Sequence, residues 1–138
     1  MSQPTLLDQS INLDDYISVW IDAFITAKIQ ENRSPKTIRF YTIYLTEFSQ
    51  YCDHHSIKLI HQITPQFLRE YLLSLEQAGH NVGGQLVYFR SIKAFLNWFW
   101  EKIEPEYPNP IHKVKPPKNP LELLQGITRE EFDALVAI

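Results

Sequence analysis

Arg33, Lys36 and Arg39 crowd into the stretch "NRSPKTIRF", with Ser34 and Pro35 between them. Serine followed by proline is a helix-start signal. The serine oxygen takes an orphan backbone N–H, and proline lacks only a donor that the first helical position leaves unused. Unpaired N–H groups and the positive end of the helix dipole meet at such a start. Together with the Ser34 and Thr37 hydroxyls and the flanking cations, they make an anion site of the kind that holds phosphate. A solvated helix end would carry the same residues, so this stretch alone leaves both readings open.

A second set lies further along. Helical spacing through "NVGGQLVYFRSIKAFLNWFW" puts Gly83, Val87, Arg90 and Ala94 on one side, with Lys93 and Asn97 at its border. That face starts small, with Gly83 and Gly84, and carries two cations, which suits close approach to a nucleic-acid groove. The glycine pair is no phosphate-cradling loop, because it lacks the G-x-x-x-x-G-K-[ST] frame. His54, His55 and His61 have no cysteine or carboxylate at ligand spacing, so no metal is expected. There is no G-x-S-x-G motif and no Cys/His pairing, and the reading assigns no catalytic residue, cofactor or small-molecule substrate.

Five helical segments and no convincing strand position these residues. The first is expected over residues 13 to 29, capped by Asn12, with Tyr16, Ile17, Trp20, Ile21 and Phe24 on its apolar side. The second begins at Ser34 and buries Ile38, Tyr41, Leu45, Phe48 and Cys52. Thr64 and Pro65 open the third, whose stripe is Leu68, Tyr71, Leu72 and Leu75 and whose stop is Gly79. The fourth runs from about Asn81 to Lys102, with Leu86, Phe89, Ile92, Leu96, Phe99 and Trp100 inward and Phe95 widening the stripe. From Glu104 the chain holds six of its nine prolines within "EPEYPNPIHKVKPPKNP", which reads as an extended linker. "GITREEFDALVAI" then restarts a helix behind a Thr128–Glu131 capping box. Four domain segments are therefore expected: a flexible start (1–12), a helical bundle (13–103), a linker (104–127) and the first helix of a further domain (128–138).

The chain of 138 residues has a net charge of −3, 44% hydrophobic residues and a single cysteine. It is long enough for one packed core. It lacks the Cys content of a disulfide framework, a secretory signal layout and any apolar run of about 20 residues. A cytoplasmic globular protein with no membrane contact is expected, with Cys52 an ordinary buried thiol. Charge is uneven: residues 33–118 carry eleven bases against seven acids, and both ends are acidic. A local basic patch, rather than the sum, decides whether DNA can bind.

The ordered series "SPKTIRFYTIYLTEFSQYC … ITPQFLREYLLSLEQAG … YFRSIKAFLNWFW … NPIHKVKPPK … ITREEFDAL" resembles the N-terminal core-binding domain of tyrosine recombinases, the phage integrase family. The likeness covers roughly residues 14 to 138. It implies an all-α, four- to five-helix SAM-like orthogonal bundle that clamps one side of a DNA duplex, with the second and fourth helices facing the major groove. The Pro/Lys linker would cross to a catalytic domain. Residues implied to face DNA are Arg33, Ser34, Lys36, Thr37, Arg39, Gly83, Gly84, Val87, Arg90, Lys93 and Asn97, joined by Lys113, Lys115 and Lys118 of the linker. Many members carry a Ser/Thr-rich start where this chain has Val82-Gly83-Gly84. The family's arginines, lysine, H-x-x-R motif and tyrosine nucleophile belong to the catalytic domain, and His112 to Lys115 is the nearest thing to H-x-x-R here.

The expected function is DNA binding by a tyrosine recombinase arm, with double-stranded DNA and other recombinase protomers as partners and no enzymatic activity of its own. A helical protein-interaction module and a free-standing DNA-binding regulator are the alternatives.

Overall fold

The computed structural model describes residues 16–118. Four helices appear among them: α1 (Ile17–Gln30), α2 (Pro35–His54), α3 (Pro65–Gln77) and α4 (Val82–Lys102), with 3-10 turns at Ile60–Gln62 and Pro110–Lys113. Each of α2, α3 and α4 starts as its sequence requires. The Ser34 Oγ, Thr64 Oγ1 and Asn81 Oδ1 atoms accept from the N–H groups of Thr37, Phe67 and Gly84. Pro35 and Pro65 stand at the first positions of α2 and α3.

Helix ends are equally regular. After α1, α2 and α3 the chain turns through positive φ at Asn32, Ser56 and Gly79. In each case the next N–H reaches back to the carbonyl of Lys28, Cys52 or Leu75. Gly79 is the expected one. Asn32 tolerates the conformation through its short polar side chain, and Ser56 adopts it at some steric cost.

The core lies where the four helices meet. Phe24 of α1 is fully buried, and its ring meets Tyr41, Phe95 and Trp98 edge-on at 5.1, 5.7 and 5.6 Å. Leu45 and Phe48 of α2, Leu68 and Tyr71 of α3, and Ile92, Phe95, Leu96 and Phe99 of α4 complete it. Cys52 is a buried free thiol, as expected, and burial pushes its pKa up to about 12.

Four expectations need correcting. α1 starts at Ile17, not near residue 13, because Tyr16 is extended and bridges antiparallel to Leu59, while the Ile17 N–H donates to the Lys58 carbonyl. Tyr16 holds the N-cap position, and Asn12, the expected cap, lies outside the described residues. In α3, Phe67 joins the buried stripe and Leu72 is only half-buried. In α4, Leu86 is half-buried, while Gln85 and Tyr88 face inward with their polar heads satisfied by the His80 carbonyl and the Glu47 carboxylate.

The largest correction is the tail. Residues 109–114 are not extended linker. Asn109 caps a 3-10 turn that begins at Pro110, and Ile111 and Val114 are 3% and 6% exposed against α3 and α4. Three residues apart, they present one apolar side to the bundle once the turn forms. The expected start (1–12) and the helix at 128–138, with its capping box, lie outside the described residues. Among the described residues, no helix is long and apolar enough to cross a membrane.

If the turn belongs to the domain, Ile111→Ala should lower the free energy of unfolding by about 2–5 kcal/mol, as for other buried aliphatic truncations. A solvated linker would give a change near zero. Chemical denaturation followed by far-UV circular dichroism decides between them.

Candidate nucleic-acid interface

Lys36 and Arg39 stand exposed on α2, and neither makes an ion pair among the described residues. Arg33 differs. Its Nε lies 3.3 Å from Glu31 Oε1, which also takes the Lys28 ammonium at 3.3 Å. The Lys28 hydrogen bond, and then the Arg33 one, hold the Glu31 carboxyl below the usual carboxylate range. Exposed pairs of this kind are weak, so Arg33 remains available to a stronger anion.

The start of α2 is less open than expected. Thr37 N–H is taken by Ser34 Oγ at 3.2 Å, and Ser34 Oγ donates to Thr37 Oγ1 at 3.0 Å. Pro35 has no N–H. Among the described contacts, the Lys36 N–H alone in that first turn has no acceptor, and the Thr37 hydroxyl proton is also unassigned. An anion here would be held chiefly by cations and dipole.

The face of α4 is set by its neighbours. Tyr88 and Phe95 turn towards α2 and α1, with the Tyr88 ring 4.8 Å from Tyr44 and its hydroxyl donating to Glu47 at 2.9 Å. Burial, and then the accepting Glu47 carboxylate, push the Tyr88 phenol up to about 12, so it keeps the proton it donates. On the other flank, Leu96 and Asn97 meet Asn109 of the tail. Between these flanks one arc faces outward. Gly83, Arg90 and Lys93 are exposed; Gly84, Val87, Ala94 and Asn97 are half-buried. Arg90 and Lys93 have no partner among the described residues. Exposed Glu101, four residues past Asn97 on the same arc, bounds the basic strip.

The two glycines are not required by internal packing. A Cβ on Gly83 would meet only Asn81 Oδ1 at 3.5 Å, and one on Gly84 would meet His80 Nδ1 at 3.4 Å. Both are ordinary contacts. The tail lysines Lys113, Lys115 and Lys118 are exposed beyond the Asn109 flank, and the Arg69 guanidinium ties down the end of the turn by donating to the Lys113 carbonyl at 2.9 Å. Arg69 had no local signal, since its partner lies 44 residues away, and Asn109, a local cap before Pro110, gave no sign of its partners on α4, 12 and 13 residues away.

Two of the candidate histidines have structural contacts. His61 Nε2 lies 2.7 Å from Glu104 Oε1, and His55 packs on the Tyr51 ring at 4.1 Å. Among the described residues no group of three or more potential ligands could hold a metal.

Comparison with known proteins gives the family and the fold. The family model "Phage integrase, N-terminal SAM-like domain" matches residues 21–102. The tyrosine recombinase XerC of Halalkalibacterium halodurans is 30% identical over 124 residues, covering 85% of this chain and 39% of that protein. This chain thus spans about two fifths of the length of the curated relative it matches. The crystal structure of the N-terminal domain of a phage integrase/site-specific recombinase from Haloarcula marismortui matches with a TM-score of 0.64. That match covers 74% of this chain and 96% of the other, at 14% identity, and it shows a shared all-α SAM-like fold.

Gly83→Ala should leave the fold intact and raise stability by up to about 1 kcal/mol, because alanine loses less backbone entropy in a helix and its Cβ meets no obstacle. Thermal melting checks this. A loss of stability would mean that the glycine serves packing and not approach.

Proposed function

Because the chain belongs to the phage integrase N-terminal, SAM-like domain family, we propose that it binds duplex DNA and positions it for a catalytic domain of the parent protein. The observation that carries this reading is the outward arc of α4 from Gly83 to Asn97. It is small at its start, carries Arg90 and Lys93 without internal partners, and lies between α2 and the tail lysines. An α-helix fits the major groove, and a small-residue start lets its backbone come close. Lys36, Arg39, Lys93, Lys113, Lys115 and Lys118 would neutralise phosphates, which supplies affinity and register. Arg90, central on the arc, would reach a base edge.

In the parent, the chemistry would be phosphoryl transfer from DNA to a tyrosine, with arginines stabilising the charge that develops on the phosphate. Other protomers of the parent would be partners on the same DNA. This chain contributes binding and orientation, and no residue in it is assigned a reacting role. It should form no denaturant-resistant adduct with duplex DNA; such a band on a denaturing gel would contradict the assignment.

One observation favours docking of another protein instead. Leu73 is 52% exposed beside Leu72, Val114 and Pro117, in a groove rimmed by Arg69 and Lys115. Salt-dependent duplex binding separates the two readings. Replacing Lys36 and Arg39 together with alanine should weaken binding to every duplex about equally. It should also flatten the slope of log K against log salt by about 1.8, at ~0.9 per phosphate contact. Arg90→Ala should instead remove ~1–3 kcal/mol of discrimination between duplexes. An unchanged salt slope in the Lys36/Arg39 variant, by fluorescence anisotropy, would give first place to the docking reading.

A further inference from the structure

Asn109 is 7% exposed, and both halves of its amide face partners whose hydrogen-bonding sense is fixed. Its Oδ1 accepts from the Ile111 N–H at 3.1 Å, a group that can only donate. Its Nδ2 lies 3.5 Å from the Leu96 carbonyl, which can only accept, and 2.9 Å from Asn97 Oδ1. Turning the amide over would set oxygen against a carbonyl and NH2 against a donor, so only one orientation is satisfied. That orientation dictates the next. Asn97 must present its oxygen to Asn109, which leaves its NH2 with no partner among the described residues. Asn97 lies one turn beyond Lys93 and seven residues, or about 10 Å, beyond Arg90 along the same arc.

We propose that Asn109 is a positioning residue that holds the Asn97 amide as an oriented, donor-only group towards DNA. At this point the protein would select a hydrogen-bond acceptor: a phosphate oxygen, or the N7 or carbonyl oxygen of a base edge in the major groove. It rests on the reading that α4 faces DNA. The docked turn at Pro110–Lys113 and the DNA contact are thereby coupled. When the turn leaves the bundle, Asn97 loses its fixed orientation and with it the preorganised donor.

The test uses the whole chain, labelled with 15N, and two duplexes of equal length, one AT-rich and one GC-rich. In the free protein the Asn109 side-chain NH2 should exchange slowly with water and the Asn97 NH2 rapidly; the reverse would overturn the proposal. On adding DNA, the Asn97 NH2 should shift and become protected. Protection on both duplexes indicates an acceptor common to both, a phosphate oxygen or a purine N7, and protection on one indicates a base carbonyl oxygen, thymine O4 or guanine O6. If the duplexes bind with the expected salt slope while the Asn97 NH2 stays in fast exchange, the proposal fails and the DNA reading stands. If neither duplex binds, both fail. Asn97→Ala and Asn109→Ala should each weaken binding by the folded protein about fivefold, the size of one hydrogen bond, and the double variant no further. A purely structural Asn109 would lower the melting temperature and leave that affinity unchanged, which would also overturn the proposal.

Discussion

The ring of Phe24 is the contact on which the rest of the architecture depends. It is fully buried, reaches α2 through Tyr41 and α4 through Phe95 and Trp98, and meets all three edge to face. Aromatic quadrupoles favour that geometry, so the cluster fixes helix rotation as well as proximity. Once α4 is held by Phe95 and Trp98 on one flank and by Asn109, Ile111 and Val114 on the other, only one arc is left for solvent. Position on that arc, rather than net charge, gives Arg90 and Lys93 their significance.

The seam between α2 and α4 repeats the device at lower hydrophobicity. Tyr44, Tyr88 and His80 stack edge to face, and the Tyr88 hydroxyl is satisfied by Glu47 instead of being left buried and unpaired. Glu47 is an acidic group close to the basic arc of α4. Its use here is structural, since it accepts a hydrogen bond from the Tyr88 phenol, which keeps its proton. Glu31 likewise answers Lys28 and Arg33 at the turn between α1 and α2. Several acids are thus committed to local partners, and among the described residues the cations with neither an ion-pair nor a hydrogen-bond partner lie on α2, α4 and the tail. That distribution reconciles a net charge of −3 with a surface that can take phosphates.

Helix starts and stops were legible in the sequence because they are decided within four residues. Ser34-Pro35, Thr64-Pro65 and Asn81 each cap through a side-chain oxygen three residues before the N–H it takes, and Gly79 tolerates positive φ without a Cβ. The apolar stripes of α2 and α4 were largely legible for the same reason, except that Ile38 and Tyr41 are only half-buried and that Gln85 and Tyr88 turn inward while Leu86 is half-buried. The arc carrying Arg90 and Lys93 followed directly from those stripes, as the side the core leaves over.

What the sequence could not decide depends on groups far apart in the chain. Tyr16 is extended because it pairs with Leu59, so α1 starts later than its own periodicity suggests. The proline-rich stretch after Glu104 has a linker's composition. Yet Ile111 and Val114 are drawn into the bundle by apolar surface that α3 and α4 expose only once they have packed. The orientation of the Asn97 amide is the sharpest instance. Its residue type and place on α4 are local facts, but the choice between donor and acceptor is made by Asn109, twelve residues on, and by the backbone groups of Leu96 and Ile111. Local sequence sets helix ends and faces because short-range hydrogen bonds and side-chain periodicity act within a turn. Only the tertiary structure could assign the long-range partners, because burial and polar satisfaction exist only after the helices have met.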